Sequence, residues 1–423
     1  MSQTAIAPAI GRTEGERAQL RRLMLFFGLL YFAEGAGQTD GLISQPLNYY
    51  LKEIYRWSPV EITAYLTVLN LPWFIKPLYG AVSDFIPLFG YRRITYLIAA
   101  NAVAAAGYFA ISQSSAPGTM IWLLLLTAYG MAISSTLCGA LLVENGQRFH
   151  ATGKFVNQQW LWYNLAAMAA ALTGGVLIQY LTPVSAVHAA ALLVGIVPLA
   201  VAFSTRALVD EESSTITPEA MRETFRGLVA AFRSRDLWLI AAFLLFYYFS
   251  PGFTTPLYFT MTDELKFSQA YIGVLSAITS AGWIAGAVLY SAYFEHLSSR
   301  ALLNASIAIG TASTLMFLFL AGEISAAIVN FFFGVSLMIA SVATLSLAAD
   351  YCPKRSEGFV FAALMSVTNI AGSLADNLGS FLYERVFANQ LYPLVLVSAG
   401  ATALAFLLVP FLKIGDKSVG EPR

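Results

Sequence analysis

The sequence predicts an all-α integral membrane protein with twelve transmembrane helices, arranged as two pseudo-symmetric halves of six helices each. Three observations carry this prediction. Hydrophobic residues make up 58% of the 423 residues and charged residues only 11%, whereas a soluble domain carries roughly 25% charged residues. Apolar stretches of about 20 residues, the length that crosses a bilayer, recur along the whole chain. The last six stretches repeat features of the first six.

Twelve apolar windows, bounded by charged residues, prolines and glycines, define the predicted spans. In the first half they cover 23–51, 62–82, 94–112, 119–143, 155–180 and 184–204. In the second half they cover 237–260, 270–291, 301–320, 324–349, 357–383 and 391–413. The first window is too long for the core of a signal peptide and lacks a small-residue cleavage site, so we expect it to be retained.

The polar segments around these windows divide the chain into five parts. We predict a cytoplasmic tail at 1–22, a six-helix bundle at 23–204, a cytoplasmic linker at 205–236, a second six-helix bundle at 237–413 and a cytoplasmic tail at 414–423. Most Lys and Arg residues near span ends fall on one side of this topology, and the other side keeps Lys52, Arg56, Lys266 and Arg385. Cytoplasmic loops carry the excess of basic residues, so both termini are predicted to be cytoplasmic, in the plasma membrane.

Charge and motifs argue against several classes of function. The 24 basic and 24 acidic residues balance, so nothing favours a nucleic acid as partner. The two cysteines, Cys138 and Cys352, form no disulfide framework or metal-ligand pattern. No GxxxxGK[ST], HExxH or GxSxG motif is present, so the sequence indicates neither an ATP-driven pump nor an enzyme, and it calls for no cofactor or metal.

A dense motif lies around the end of the second predicted span. It consists of Pro72-Trp73-Phe74-Ile75-Lys76-Pro77-Leu78-Tyr79-Gly80, Ser83-Asp84 and Pro87-Leu88-Phe89-Gly90-Tyr91-Arg92-Arg93. This motif resembles the signature of the folate-biopterin transporter family, which belongs to the major facilitator superfamily. The resemblance implies the major facilitator fold, with a solute site near the middle of the membrane between two halves that alternate in access.

The same resemblance implies a latch on the cytoplasmic side. In the superfamily, the loop between the second and third spans carries a carboxylate and arginines that hold the halves together. Asp84, Arg92 and Arg93 match that pattern. Glu144 and Asp350 end the fourth and tenth predicted spans, and we expect them to act as further latch or gate residues.

Charged side chains inside a span cost about 2.5 to 3.5 kcal/mol even on lenient scales, so each needs a reason. At 100° per residue, one face of the first span collects Glu34, Gln38, Gly41, Gln45 and Asn48, with Asp40 at its edge. We predict that this stripe lines a central cavity, and that Gln38, Gln45 and Asn48 bind substrate. The alternative is that Glu34 only pairs with a neighbouring helix.

Glu34 is the leading candidate for a proton-coupling carboxylate, because it lies near mid-membrane on this stripe, and Asp40 and Asp376 are the reserve candidates. Lys76 can extend to the lipid headgroups, pair with a carboxylate such as Glu34, or bind an anionic substrate. Since Lys76 belongs to the motif, we favour an internal ion pair.

Three other spans contribute candidate substrate ligands. They are Asn157, Trp160 and Asn164 in the fifth span, Tyr247, Thr254 and Tyr258 around the Pro251-Gly252 break of the seventh, and Asn369 and Ser373 in the eleventh. Amides can donate and accept hydrogen bonds, and aromatic rings can stack on a flat solute. Interhelical hydrogen bonding and packing are the alternatives for each group.

Taken together, the sequence predicts a secondary transporter for a small organic solute, folate-like or pteridine-like or another organic anion, driven by protons. The expected partners are this solute, the lipid bilayer and protons, and the expected state is a monomer. Two alternatives stay open: a transporter-like membrane sensor, and an exporter of a non-pteridine organic solute or drug.

Overall fold

The computed structural model describes residues 14–211, 233–294, 296–350 and 357–412, and these residues are almost entirely helical. The helices of the first half are Glu14–Gly37, Ser44–Tyr55, Pro59–Phe74, Lys76–Phe85, Ile94–Ile111, Pro117–Arg148, Thr152–Tyr180 and Pro183–Leu208. The helices of the second half are Arg235–Tyr248, Thr254–Phe259, Gln269–Leu289, Ser299–Leu315, Glu323–Asp350, Glu357–Phe381 and Leu391–Leu404. Short π-helical or 3-10 turns extend several helices of the second half.

We number the membrane crossings as spans 1 to 12 in chain order. Spans 1, 2 and 7 are each made of two helices, and every other span is one helix. Among the described residues, nine helices are long and apolar enough to cross a membrane, and they correspond to the nine uninterrupted spans. Together with the three interrupted crossings they give the twelve predicted spans. The all-helical, twelve-span fold class is therefore confirmed.

Span 1 differs from its prediction in both extent and continuity. Its first helix begins at Glu14, inside the segment expected to be a tail, and ends at Gly37. The chain then makes a turn, in which the N–H of Leu42 donates to the carbonyl of Ala36 at 2.9 Å. The second helix starts after this turn, at Ser44. A Cβ atom at Gly41 would overlap the Ala36 carbonyl oxygen, so this turn requires glycine. The stripe calculated for a continuous helix is therefore wrong beyond Gln38.

Spans 2 and 7 are interrupted near prolines. In span 2 the first helix ends at Phe74 and the second begins at Lys76, next to Pro77, which has no N–H to donate. In span 7 the break contains Pro251, and the N–H of Gly252 donates to the carbonyl of Ala375 in span 11 at 2.9 Å. A neighbouring span thus supplies the hydrogen bond that the broken helix cannot make.

The molecule has two faces that we name by position. The basic face holds the start of span 1, the loop at 86–93 and the end of span 6, and the opposite face holds the loops at 56–58 and 265–268. The predicted linker at 205–236 falls largely on residues 212–232, and the predicted tails include 1–13 and 413–423. All three segments lie outside the described residues.

The halves meet along two seams, spans 5 and 8 on one side and spans 2 and 11 on the other. In the first seam the backbones nearly touch, since a Cβ at Gly175 would lie only 2.8 Å from the carbonyl oxygen of Gln269. The second seam is polar and runs from the opposite face inward. Its paired groups are the Val60 N–H and Glu384 at 3.2 Å, Thr63 and Ser380 at 2.8 Å, and Thr67 and Asn377 at 2.6 Å.

Candidate functional site

Three spans of the first half bring one acid, one hydroxyl and one base together inside the molecule. Ser135 of span 4 donates its hydroxyl hydrogen to Oε1 of Glu34 in span 1, with an O···O distance of 2.7 Å. The ammonium of Lys76 in span 2 donates to the same Ser135 Oγ at 3.2 Å. We call Glu34, Ser135 and Lys76 the central triad. Among the described residues, Lys76 and Glu34 do not form the expected direct ion pair, because the Ser135 hydroxyl stands between the two charges.

The local sequence places these groups. Lys76 is the first residue of the second helix of span 2, so the break at Ile75 turns its side chain into the bundle. Its ammonium also lies over the Trp73 ring, 4.7 Å from the centroid. A cation over an indole ring is stabilised by the ring quadrupole, most strongly where water is excluded. Lys76 therefore does not extend to the lipid headgroups.

Glu34 is only partly satisfied by its neighbours. Its second oxygen, Oε2, is buried and has no hydrogen-bond partner among the described residues. The carboxylate interacts electrostatically with Tyr31, Cys138 and Tyr163. Buried polar atoms are normally paired, and an orphaned one calls for an explanation such as a functional role.

The reserve acids Asp40 and Asp376 come from different halves. Asp40 lies on the turn between the two helices of span 1, and its side chain is exposed. Asp376 lies in span 11 against the break of span 7, where a Cβ on Gly252 would overlap its Oδ1. The structure thus places these two acids at helix breaks, apart from the central triad.

The other polar residues predicted on span 1 separate at its break. Gln38 stays near the centre and donates to the Tyr163 hydroxyl at 2.6 Å. Gln45 instead reaches across to the second half and donates to the Gln269 carbonyl at 2.8 Å. Asn48 lies further along the same helix, and its Oδ1 is buried without a partner in the described part of the chain. Gln45 is therefore a seam residue in this conformation.

The candidates in span 5 face different surroundings. Trp160 stacks on Trp283 of span 8 across the halves, with centroids 6.0 Å apart and planes inclined by 26°. Asn157 is exposed one turn away. Asn164 is buried and donates to the carbonyl of Trp160 at 2.8 Å, which is a bond within its own helix. Of the two amides, Asn157 is thus the one whose side chain is exposed.

In span 11, Asn369 donates to the carbonyl of Trp73 at 3.3 Å and so links the second half to the neighbourhood of Lys76. Ser373 is buried, one turn further along the same helix. Asn369 is thus the candidate of the second half that approaches the central triad most directly.

The candidates in span 7 do not share one surface, because the helix is broken between them. Tyr247 is buried in the apolar core of the second half against Phe243. Tyr258 lies beyond the break and donates to the side-chain oxygen of Gln269 at 3.1 Å. Thr254 is exposed. The break at Pro251-Gly252 was predicted, but the three residues on either side of it lie in different surroundings.

The predicted latch centres on Arg93, which is only 4% exposed. Its guanidinium donates to Asp84 at 2.6 Å, to Glu144 at 3.0 Å and to the hydroxyl of Ser83. All of these partners belong to the first half, so in this conformation Arg93 braces spans 2, 3 and 4 and does not join the halves.

The other two latch candidates are Arg92 and Asp350, and neither takes part in the Arg93 network among the described residues. Arg92 contributes its backbone N–H to Glu211 at 2.9 Å, while its side-chain Nε is buried without a partner among the described residues. The side chain of Asp350 lies outside the described residues.

Two residues in these networks escaped the sequence reasoning. Ser135 sits in an apolar span beside another serine, so nothing in its local pattern marks it. Glu211 follows span 6, and its carboxylate accepts the backbone N–H groups of Arg92, Arg93 and Ile94 at 2.9 to 3.1 Å. It caps the start of span 3 directly behind the arginine network.

Charged groups also join the two halves at the opposite face. Lys52 of span 1 is 9% exposed, pairs with Asp263 of span 7 at 2.6 Å and lies over the Phe259 ring at 5.1 Å. Among the described residues no group of three His, Cys, Asp or Glu side chains is arranged to hold a metal ion. The central triad supplies a carboxylate and an ammonium, groups that can carry a proton or bind a charged solute.

Comparison with known proteins agrees with this architecture. The model of the BT1 family matches residues 36–412. A folate-biopterin transporter of Synechocystis sp. is 28% identical over 93% of this chain and 82% of its own length. Folate transporter 1 of Plasmodium falciparum is 22% identical over 88% of this chain and 74% of its own length.

Solved structures share the fold at low identity. The D-xylose-proton symporter superposes with a TM-score of 0.71 at 14% identity, covering 96% of this chain and all of that one. The nucleoside transporter NupG superposes with a TM-score of 0.70 at 12% identity, covering 94% of this chain and all of that one. The family match extends from the end of the first helix of span 1 to the end of span 12, and the chain belongs to the BT1 family.

Proposed function

We propose that this protein is a proton-coupled secondary transporter that moves a folate-like or pteridine-like organic anion across the plasma membrane by alternating access. The observation that carries the proposal is the central triad, in which a half-buried acid and a half-buried base are linked inside the first half of a transporter fold. Charged groups inside a membrane protein are costly and mark ion or substrate pathways. The names of the family relatives supply the substrate class.

Alternating access is supported by the distribution of contacts between the halves. The ion pair of Lys52 with Asp263 and the polar contacts of spans 2 and 11 hold the opposite face shut. Water can replace such polar contacts when the halves separate, so opening this face exposes few apolar groups in that seam. The side chains of Asp84 and Glu144 on the basic face are 43% and 42% exposed. We take this conformation as the inward-facing one, with the basic face cytoplasmic.

The substrate site would lie between the central triad and the second half. Lys76 supplies a positive charge for an anion, and Trp160 with Trp283 supplies flat rings for a heterocycle. Gln38, Asn157 and Asn369 offer hydrogen bonds around these groups. Thr254 is exposed in this conformation. A solute would reach the other predicted ligands only after the spans rearrange, namely Gln45, Asn48, Asn164, Tyr247, Tyr258 and Ser373.

Proton coupling would reside at Glu34, with Asp40 and Asp376 as secondary sites. A carboxyl group can take up a proton in one conformation and release it in another when its neighbours change. Glu34 is bonded to spans of its own half and has a second oxygen without a partner. Movement of span 1 relative to spans 2 and 4 would change these surroundings directly.

The test is uptake of radiolabelled folate and pterin into proteoliposomes with and without an imposed proton gradient. Wild-type protein is expected to accumulate one of these solutes only with the gradient. Glu34→Gln should lose this accumulation but keep exchange of solute at equal concentrations on both sides. The matched control is Glu323→Gln, which changes an exposed acid near the opposite face.

Two other outcomes of the uptake experiment would change the proposal. Accumulation by Glu34→Gln under the gradient would move the coupling role to Asp40 or Asp376. Solute binding to the wild-type protein without any uptake or exchange would favour the sensor alternative. The purified protein is expected to run as a monomer in detergent.

A further inference from the structure

The hydrogen-bond directions around Ser135 are fixed by the chemistry of its partners. A lysine ammonium has only donors, so Ser135 Oγ accepts from Lys76. A serine hydroxyl has one hydrogen, and the structure directs it to Oε1 of Glu34. The three groups therefore form a one-way chain from the ammonium through the hydroxyl to the carboxylate.

Protein covers the middle of this chain most completely, since Glu34 and Lys76 are half-buried and Ser135 is buried. Ser135 is 9% exposed, and Lys76 is further covered by the Trp73 ring. Among the described residues, Lys76 and Glu34 form no direct ion pair. Within the protein, the contact that joins this base to this acid is the serine hydroxyl.

We propose that Ser135 is a proton relay between Lys76 and Glu34, and this inference rests on the proposed coupling role of Glu34. In the relay step, an N–H bond of Lys76 breaks as its proton bonds to Ser135 Oγ. The O–H bond of Ser135 breaks at the same time, and that proton bonds to Glu34 Oε1. An ammonium and a carboxylate become an amine and a carboxylic acid, the serine remains a hydroxyl, and no electron is transferred.

The relay gives the pair a neutral form that can be reached without water. Separating two buried charges is costly, whereas a neutral amine and a neutral acid can separate at lower cost. The pair could then part when the spans move, and Glu34 would carry the proton. The other titratable groups around Glu34 are Tyr31 on its own span, Cys138 on span 4 and Tyr163 on span 5.

The experiment compares two substitutions of equal size, Ser135→Thr and Ser135→Val, in proteoliposomes. Threonine keeps the hydroxyl and valine removes it, so both perturb packing alike. Ser135→Val should lower proton-driven accumulation by about tenfold or more while exchange at equal concentrations continues. Ser135→Thr should restore accumulation. The control is Thr136→Val, the next residue, whose hydroxyl donates to the Ala132 carbonyl of its own helix at 2.8 Å.

A second readout separates a relay from a purely structural hydroxyl. Proton-driven uptake by wild type and Ser135→Thr should slow in heavy water, and the residual uptake by Ser135→Val should show a different isotope effect and a shifted pH profile. Accumulation by Ser135→Val equal to that by Ser135→Thr overturns the relay. If Ser135→Val accumulates solute in this way while Glu34→Gln does not, the relay is overturned and the proposed coupling site stands. If Glu34→Gln also accumulates solute, the proposed coupling site fails with it.

Discussion

Lys52 of span 1 and Asp263 of span 7 form an ion pair of 2.6 Å that joins the two halves at the opposite face. Lys52 is nearly buried, while the Asp263 side chain is 53% exposed, so solvent limits the pair to about 1 kcal/mol. An equilibrium between two conformations responds to a contact that only one of them makes. Under the proposed alternating access, we expect this pair to favour closure of the opposite face.

Asp263→Asn is expected to favour opening of the opposite face. The reporter is a cysteine at Thr63, which is 3% exposed in the seam beyond the ion pair. When Asp263→Asn is added to the Thr63→Cys reporter, labelling by a membrane-impermeant thiol reagent should accelerate about threefold to fivefold, as a change of about 1 kcal/mol allows. Glu264→Gln, at the neighbouring exposed acid, should leave the rate unchanged. Equal labelling rates in the reporter alone, the reporter with Asp263→Asn and the reporter with Glu264→Gln would mean that the pair does not hold this face shut.

Glu211→Gln should loosen the start of span 3. The carboxylate accepts N–H groups of Arg92, Arg93 and Ile94, and an amide replaces one accepting oxygen by a donor. Loss of a cap costs about 1 kcal/mol, so the amides of 92–94 should exchange with deuterium about fivefold faster, as mass spectrometry can measure. Asp210→Asn alters the exposed neighbouring acid and provides the control. Unchanged protection in Glu211→Gln would show that the cap contributes no stability there.

Orientation is tested by two glycines with open space around them. Gly118 lies at the start of span 4 near the opposite face, and Gly153 at the start of span 5 near the basic face. With Cys138 and Cys352 replaced by alanine, Gly118→Cys should react with an impermeant thiol reagent on intact cells. Gly153→Cys should react only after permeabilisation, because the basic face is expected to be cytoplasmic. The reverse pattern would place the termini outside.

The number and order of the spans were predictable because each depends on a local run of about 20 apolar residues. Prolines also signalled the break in span 7, at Pro251. The break in span 1 was missed because the face calculation assumed a continuous helix, although Gly37 and Gly41 flank the polar segment that forms the turn. A continuous helix put Gln45 on the same stripe as Glu34, whereas the turn sends it to the seam.

The candidate site was predictable only in part, because some of its residues carry a local signal in the sequence and others do not. Glu34, Lys76 and Arg93 stood out because a charge in an apolar span or a dense motif is visible in the sequence. Ser135 did not, because a serine in a helix carries no such signal and its role depends on two residues far away in the chain. The pairing of Lys52 with Asp263 depends in the same way on how the halves dock, which no local pattern encodes.

Gly379→Ala should destabilise the contact between spans 7 and 11. A Cβ at Gly379 would overlap the carbonyl oxygen of Gly252, a backbone atom that cannot rotate away. Overpacking of this kind costs about 1 to 3 kcal/mol, and it outweighs the gain of up to about 1 kcal/mol from replacing a helical glycine. The Tm of the detergent-purified protein should therefore fall. Gly372→Ala lies on the same helix with nothing within 4 Å of its Cβ, so its Tm should stay level or rise. A fall of equal size in both variants would mean that helix propensity or detergent, and not the approach of span 7, sets the effect.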